Sequence, residues 1–352
     1  MIKDDIQKQE AGDSSTNLQG KNITINQGIS YTDAREIALD VYKANFLELY
    51  QEAAELARER AEELTDDFLI KLKEENEAAV SEMSSPGMQS ALYEAQKQYA
   101  KTGDKNLEGL LVDILVERAS TPERNIHQIV LDESLTVASK LTTEQMDALT
   151  VNFLLSKTKN HTLNNLEAIS KYIDTDIIPF LTELSDTSSC YEHLEYVGCG
   201  SLMGINRIHS IEHIFRLHYP GLFSKGFDVE RFVKEIGNVS DYNGLLMRCF
   251  HYPNLYQFTA IDTEVLNNIS SERKLPDDVK SKMVTLFNST LMNDNEIKDY
   301  LVKKRPELQT LFDLWKNSSI SNFNLTTVGI SIAHANYRRR TGVKLDLSIW
   351  IK

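Results

Sequence analysis

Apolar residues recur every three or four positions along most of the chain, a spacing that places them on one face of an α-helix. Residues 31–85 carry such a stripe without an interrupting Pro or Gly. This pattern predicts one long amphipathic helix over residues 31–85, about 75 Å in length at the usual rise per residue. Pro86 and Gly87 then predict its end.

The same periodicity continues through residues 88–320, where groups of Leu, Ile and Val are separated by polar residues suited to helix caps. Thr142 and Gln145 match a capping box and predict the start of one of these helices. The pattern lacks the alternation of strands and helices that a parallel sheet requires. We therefore predict a multi-helix body over residues 88–320.

Residues 321–352 form the last segment of the pattern. A helix is predicted to begin after Thr326 and to end at Gly342, because these residue types favour the two ends of a helix. Alternating apolar residues over 345–351 then predict a strand. The expected fold class is mainly α, with a short N-terminal polar β-repeat, a long helix, a multi-helix body and a C-terminal helix plus strand.

The polar residues 1–30 contain a short repeat. Ser-Thr-Asn-Leu-Gln-Gly at 15–20 is followed by Ile-Thr-Ile-Asn-Gln-Gly at 23–28, and residues 21–26 alternate as a strand does. Two such strands cannot bury a core alone, but copies from several chains can stack with ladders of Asn and Gln. Residues 1–30 are thus either an oligomerisation segment or a disordered tail. The repeat positions assigned to assembly are Thr16, Gln19, Thr24 and Gln27.

A second feature points to assembly. Leu39, Tyr42, Phe46 and Leu49 follow one another at alternating spacings of three and four, which is typical of a coiled-coil seam. Together with the polar repeat, this seam predicts a homo-oligomer. The alternative is that the same stripe packs within its own chain.

Net charge, cysteine count and the length of apolar runs limit the functional classes that the chain can belong to. The chain has 352 residues and a net charge of −14, which argues against a general nucleic-acid coat because phosphate binding uses an excess of Lys and Arg. Three cysteines do not make a disulfide framework and indicate a reducing cytosol. No apolar run approaches the length of a transmembrane helix, so we expect a cytoplasmic protein and no membrane partner.

All three cysteines and five of the eight histidines fall within residues 190–251. His209 and His213 are four residues apart, so on a helix they share a face, as a metal-binding pair does. Zinc is therefore an alternative, but the order of residues matches no established zinc pattern, and the main expectation is no cofactor. A Cys/His nucleophilic pair is a further alternative. The candidate metal ligands are Cys190, His193, Cys199, His209 and His213.

Three consecutive basic residues, Arg338, Arg339 and Arg340, fall in the last turn of the predicted C-terminal helix. The helix dipole favours cations at this end, so a structural role suffices to explain them. The alternative is a phosphate contact and hence nucleic-acid binding.

Three stretches resemble a family of uncharacterised bacterial proteins known mainly by locus names. They are residues 28–46 (GISYTDAREIALDVYKANF), residues 103–113 (GDKNLEGLLVD) and residues 327–351, which open with TVGISIAHAN and close with Trp350 and Ile351. The resemblance spans nearly the whole chain but carries no assigned chemistry, so it transfers no functional residue. Similar polar N-terminal repeats precede assembly-driven effectors in bacterial conflict and phage-defence systems, and this analogy of architecture suggests such a role.

The leading hypothesis is therefore a cytosolic bacterial protein that acts by homo-oligomerisation and by binding a protein partner. It favours a role without catalysis. The first alternative is a metal-binding protein or enzyme built on the Cys190–His251 cluster. The second is a nucleic-acid-binding protein that uses the basic end of the C-terminal helix.

Overall fold

A computed structural model of the chain describes residues 29–45, 51–182, 184–202 and 208–352. The predicted repeat at residues 1–28 lies outside the described residues. Across the part that is described, the protein is mainly helical, with fifteen α-helices and four three-residue strands. The α-helices are α1 Tyr31–Asn45, α2 Gln51–Asn76, α3 Pro86–Thr102, α4 Lys105–Ala119, α5 Ile126–Ala138, α6 Thr143–Ser156, α7 Leu166–Tyr172, α8 Ser188–Tyr196, α9 Ile211–His218, α10 Val229–Glu235, α11 Thr263–Glu272, α12 Asp277–Ser289, α13 Asp294–Lys304, α14 Leu308–Asn317 and α15 Thr327–Thr341.

The strands form two small antiparallel pairs. Strand β1 (Gly200–Leu202) pairs with β4 (Phe323–Leu325), and β2 (Leu246–Arg248) pairs with β3 (Tyr256–Phe258). The β1–β4 pair joins parts of the chain more than 100 residues apart and fixes the start of α15. No helix within the described ranges combines the length and apolar character that a membrane crossing requires.

The structure corrects the prediction of one continuous helix over residues 31–85. Helix α1 folds back along α2, so that Arg35 Nε lies 2.6 Å from Asp66 Oδ1 and the Tyr42 hydroxyl donates to the Ala57 carbonyl at 3.1 Å. Leu39 and Tyr42 are buried within this chain. Their apolar stripe is thus used by intramolecular packing, which was the alternative to an exposed seam. As predicted, the chain breaks before Pro86, where Ser85 caps α3.

Helix α15 lies at the centre of the main core. It contacts α4, α5 and α6, and residues 329–338 are all buried. The predicted caps are present, because the Thr326 hydroxyl accepts from the Gly329 N–H and Gly342 takes a left-handed conformation with φ of 72°. The capping box at Thr142 and Gln145 is also confirmed.

The strand predicted for residues 345–351 is instead a 3-10 turn over Leu347–Ile349. Leu347 and Ile351 are buried four residues apart, whereas Ile349 between them is 61% exposed. The alternating pattern did not predict the fold here, because a strand would place Leu347, Ile349 and Ile351 on one face, whereas Ile349 is exposed and Asp346 caps a turn.

A second hydrophobic core lies within residues 227–287, inside the predicted helical body. It is built around Phe227, Phe232, Phe258 and Phe287, together with residues of α11 and α12. Several hydrogen bonds connect this unit to the rest of the protein. Lys225 N–H donates to Thr290 O at 2.7 Å, Met292 N–H donates to Phe223 O at 2.8 Å, and Gly221 N–H donates to Ile261 O at 2.7 Å.

Candidate functional site

The predicted Cys/His residues do not gather into one site. Cys190 and His193 lie one turn apart on α8, and Gln145 Nε2 bridges them by donating to Cys190 O at 3.1 Å and to His193 Nδ1 at 3.0 Å. His209 and His213 form a second pair with ring centroids 4.6 Å apart. Among the described residues, no three His, Cys, Asp or Glu side chains converge as metal ligands.

The environment of the thiols favours a packing role. Cys199 is fully buried, and burial raises its pKa to about 12, so the thiol stays protonated at neutral pH. Burial also raises the pKa of Cys190. Zinc binding stays a prediction without a convergent ligand set among the described residues.

The three arginines at the end of α15 point to partners within the chain. Arg338 bonds Glu75 and lies 3.5 Å from both Asp113 Oδ1 and Glu117 Oε2. Arg340 pairs with Asp147 at 2.6 Å and stacks its guanidinium 4.6 Å from the Phe180 ring centroid.

Arg339 bonds two side-chain amides, those of Asn106 at 3.3 Å and Asn336 at 3.2 Å. All three guanidinium groups are thus engaged by partners inside the protein. Nucleic-acid contact at this helix end stays a prediction, and it would compete with those partners.

Only some of the residues assigned to oligomerisation belong to the part of the chain that the structure describes. Thr16, Gln19, Thr24 and Gln27 lie outside the described residues, as do Phe46 and Leu49. Leu39 and Tyr42 are the two that the structure describes, and both pack inside the α1–α2 hairpin.

A cavity of about 760 Å³ is the strongest candidate site. It lies between residues 157–163, helix α7 with the turn that follows it, Tyr337 of α15, and residues 343–350. Its volume falls within the range of ligand sites, roughly 300–1,000 Å³. The sequence analysis did not predict it, because its walls come from separate segments.

Local sequence explains the position of each wall. Helix α6 ends at Ser156, and the following loop runs to Asn165, whose side chain caps α7. After α7 the backbone widens into a π-helical turn, Ile173–Ile177, a rare geometry that is frequent at functional sites. This turn contributes Thr175 and Asp176 to the cavity lining.

One side of the cavity is cationic. We call Lys157, Lys159 and Lys171 the cationic wall. Lys157 Nζ donates to the neutral amide oxygen of Asn324 at 2.9 Å, and Lys159 pairs with Asp262 at 3.4 Å. The Lys171 side chain is exposed, and its ammonium group has no hydrogen bond or ion pair with any described residue. Two of the three charges are therefore not neutralised by a carboxylate.

The carboxylate in the lining faces the protein rather than the cavity charges. Asp176 is buried and accepts hydrogen bonds from the Tyr337 and Thr175 hydroxyls. Burial, followed by the bond to Asp176, raises the pKa of Tyr337, so its phenol keeps the proton that it donates. Nearby, burial and then the positive charges of Lys159 and His161 lower the pKa of His218.

Another part of the lining is apolar. We call Val343, Leu345, Ile349 and Trp350 the apolar wall. The Trp350 indole N–H donates to Lys157 O at 2.9 Å, and its ring meets Phe153 edge-on at 4.9 Å between centroids. This bond ties the apolar wall to the loop that carries the cationic wall.

The only sequence signal for this site was a local one. Lys157, Lys159 and Lys171 fall within 15 residues of an otherwise acidic chain, beside His161. Residues 345–351 were predicted to form a strand, so the position of the apolar wall beside these lysines could not be inferred.

Comparison with known proteins gives one family match. The family model with the description “:-like” matches residues 28–351 of the chain. No curated protein and no solved structure matches it.

Proposed function

We propose that this protein, which belongs to the “:-like” family over residues 28–351, binds a small organic anion in the cavity between α7 and residues 343–350. The cationic wall is the observation that carries the proposal. These three lysines give the cavity local positive charge in a chain whose net charge of −14 otherwise repels an anion.

Electrostatics supports an anion at this position. Lys171 has no anionic partner, and Lys157 has only an amide oxygen. A carboxylate or phosphate between these groups would gain charge-assisted hydrogen bonds. The partial enclosure of the cavity strengthens such bonds because the protein lowers the local dielectric constant.

The arrangement supports binding rather than chemistry. Tyr337 and Asp176, two of the buried polar residues that line the cavity, are already bonded to each other. A general acid or base must instead direct its proton toward the ligand.

Calorimetric titration of the full chain with benzoate and with benzamide tests the proposal. The two probes share a ring and differ in charge, so we expect benzoate to bind at least about tenfold more tightly. Lys171→Gln and Lys157→Gln should each weaken benzoate binding about three- to tenfold and leave benzamide unchanged.

Lys282→Gln is the matched control, because Lys282 is an exposed lysine on α12 outside the cavity lining. Equal binding of the two probes, or a loss of affinity in the Lys282 variant as large as in the Lys171 variant, would overturn the proposal.

Assembly through residues 1–30 is a separate proposal, supported by the repeat in the sequence. A protein partner and a phage-defence role rest on the same segment, and the three free cysteines support a cytosolic location. Light scattering coupled to size exclusion should show fewer chains per particle for a chain that starts at Tyr31 than for the full chain. An unchanged number of chains per particle would remove the main support for this proposal.

A further inference from the structure

The two walls of the cavity differ in chemistry, and this difference bears on the kind of ligand. The cationic wall belongs to residues 157–171, whereas the apolar wall belongs to residues 343–350. A ligand that contacts both walls needs an anionic end and an apolar end. We infer that the ligand is an amphipathic acid, a single carboxylate on an unbranched acyl chain, an inference that rests on the proposed anion site.

Exposed apolar surface is the first reason. Ile349 is 61% and Val343 37% exposed, although both line the cavity. Covering apolar surface is favourable in proportion to its area. A compact polar anion would leave these side chains in water, whereas an acyl chain would cover them.

The hydrogen-bonding groups of the aromatic residues are the second reason. The Trp350 N–H is bonded to Lys157 O, and the Tyr337 hydroxyl is bonded to Asp176. The donor groups of these two rings are therefore already used, and the rings present mainly apolar surface to a ligand. A sugar phosphate or a nucleotide carries several hydroxyl groups that lose water on binding, and each needs a partner.

The test is a calorimetric titration of the full chain with the unbranched carboxylates butanoate, hexanoate and octanoate, kept below their micelle concentrations. We expect the Kd to fall about fourfold for each added methylene group, since each one buries a further increment of apolar area. Octanoate should bind more tightly than glucose 6-phosphate and adenosine monophosphate.

Ile349→Ser tests the location of the acyl chain. Because Ile349 is exposed, this change should leave the protein folded and reduce the gain in affinity per methylene group at least twofold. Val233→Ser is the matched control, because Val233 is 49% exposed on α10 and does not line the cavity. The control should keep the wild-type dependence on chain length.

The outcomes separate this inference from the proposed function. Benzoate binding that depends on Lys171, with no gain along the carboxylate series, would overturn the acyl-chain inference and leave the anion site standing. If glucose 6-phosphate or adenosine monophosphate bound more tightly than octanoate, the acyl-chain inference would also be overturned and the anion site would stand. A chain-length dependence unchanged by Ile349→Ser would also overturn it. If no anion binds, the proposed function and this inference both fail.

Discussion

Glu108 shows at the scale of one residue how burial changes chemistry. It lies in the first turn of α4 and is only 6% exposed. Burial and then the neighbouring Asp67 carboxylate raise its pKa to about 7. Lys105 acts in the opposite direction, and Glu63 adds to the rise.

This shift makes stability depend on pH with a defined sign. The carboxyl binds its proton more tightly in the folded protein, so its contribution is full below the ordinary pKa of 4.5 and is lost as pH rises toward 7. We expect the free energy of unfolding to fall by up to ~1.4 kcal/mol per pH unit across that window. Glu108→Gln should flatten this slope in urea unfolding measured from pH 4.5 to 8.

Glu230→Gln serves as the control, because Glu230 is an exposed residue on α10. It should retain the wild-type slope. If the free energy of unfolding fell with pH equally in wild type and Glu108→Gln, Glu108 would not titrate in this range.

Residue types alone were misleading for the arginines of α15. Three basic residues in a last helical turn are favoured by the helix dipole, so the sequence analysis assigned them no specific partners within the chain. In the structure, the acids that bind Arg338 come from α2 and α4, more than 200 residues earlier in the chain. No local pattern contains that information, because the pairing depends on tertiary contacts.

At the scale of elements, the start of α15 depends on a close approach to the β1 segment. The Thr326 N–H donates to Cys199 O at 3.0 Å, and its hydroxyl donates to Gly198 O at 2.6 Å. A Cβ on Gly329 would lie only 1.9 Å from Cys199 O. Glycine is therefore required at this position by packing against backbone.

Gly329→Ala should thus destabilise the protein by ~1–3 kcal/mol or more, although alanine is the better helix former. Chemical denaturation followed by circular dichroism measures this change. Gly109→Ala is the control within α4, where the added Cβ meets the flexible Arg339 side chain at 3.1 Å. We expect the control to be neutral or slightly stabilising, and an equal loss in both variants would contradict the packing argument.

Local sequence signals predicted the helix caps well, but they did not predict contacts between distant parts of the chain. The caps at Thr142, Thr326 and Gly342 follow from backbone requirements that one or two residues satisfy, so the sequence contains them. The fold-back of α1 on α2 was missed because a stripe of apolar residues looks the same whether its partner is another chain or the next helix. The cavity was missed for the same reason, since its two walls are far apart in sequence.

The whole molecule has two hydrophobic cores of unequal size. The larger one surrounds α15, and the smaller one lies within residues 227–287. Units with separate hydrophobic cores can open separately. The smaller unit should therefore unfold without the rest.

Hydrogen exchange of a matched pair of variants tests this expectation. Phe258→Ala removes a ring that is 2% exposed in the smaller core, and Phe153→Ala removes one that is fully buried in the larger core. Each loss should cost about 3–5 kcal/mol locally. Phe258→Ala should lower amide protection in α11 and α12 while α6 and α15 stay protected. Loss of protection throughout in that variant would show a single cooperative unit.

The central position of α15 has a consequence for how the protein is made. The ribosome synthesises α4, α5 and α6 at least 170 residues before α15, which those helices surround. Until residue 341 has left the ribosome, their apolar faces and the carboxylates of Asp113 and Asp147 lack the helix that covers them. Folding of the larger core is therefore completed only after translation of α15, and until then the nascent chain is a substrate for chaperones.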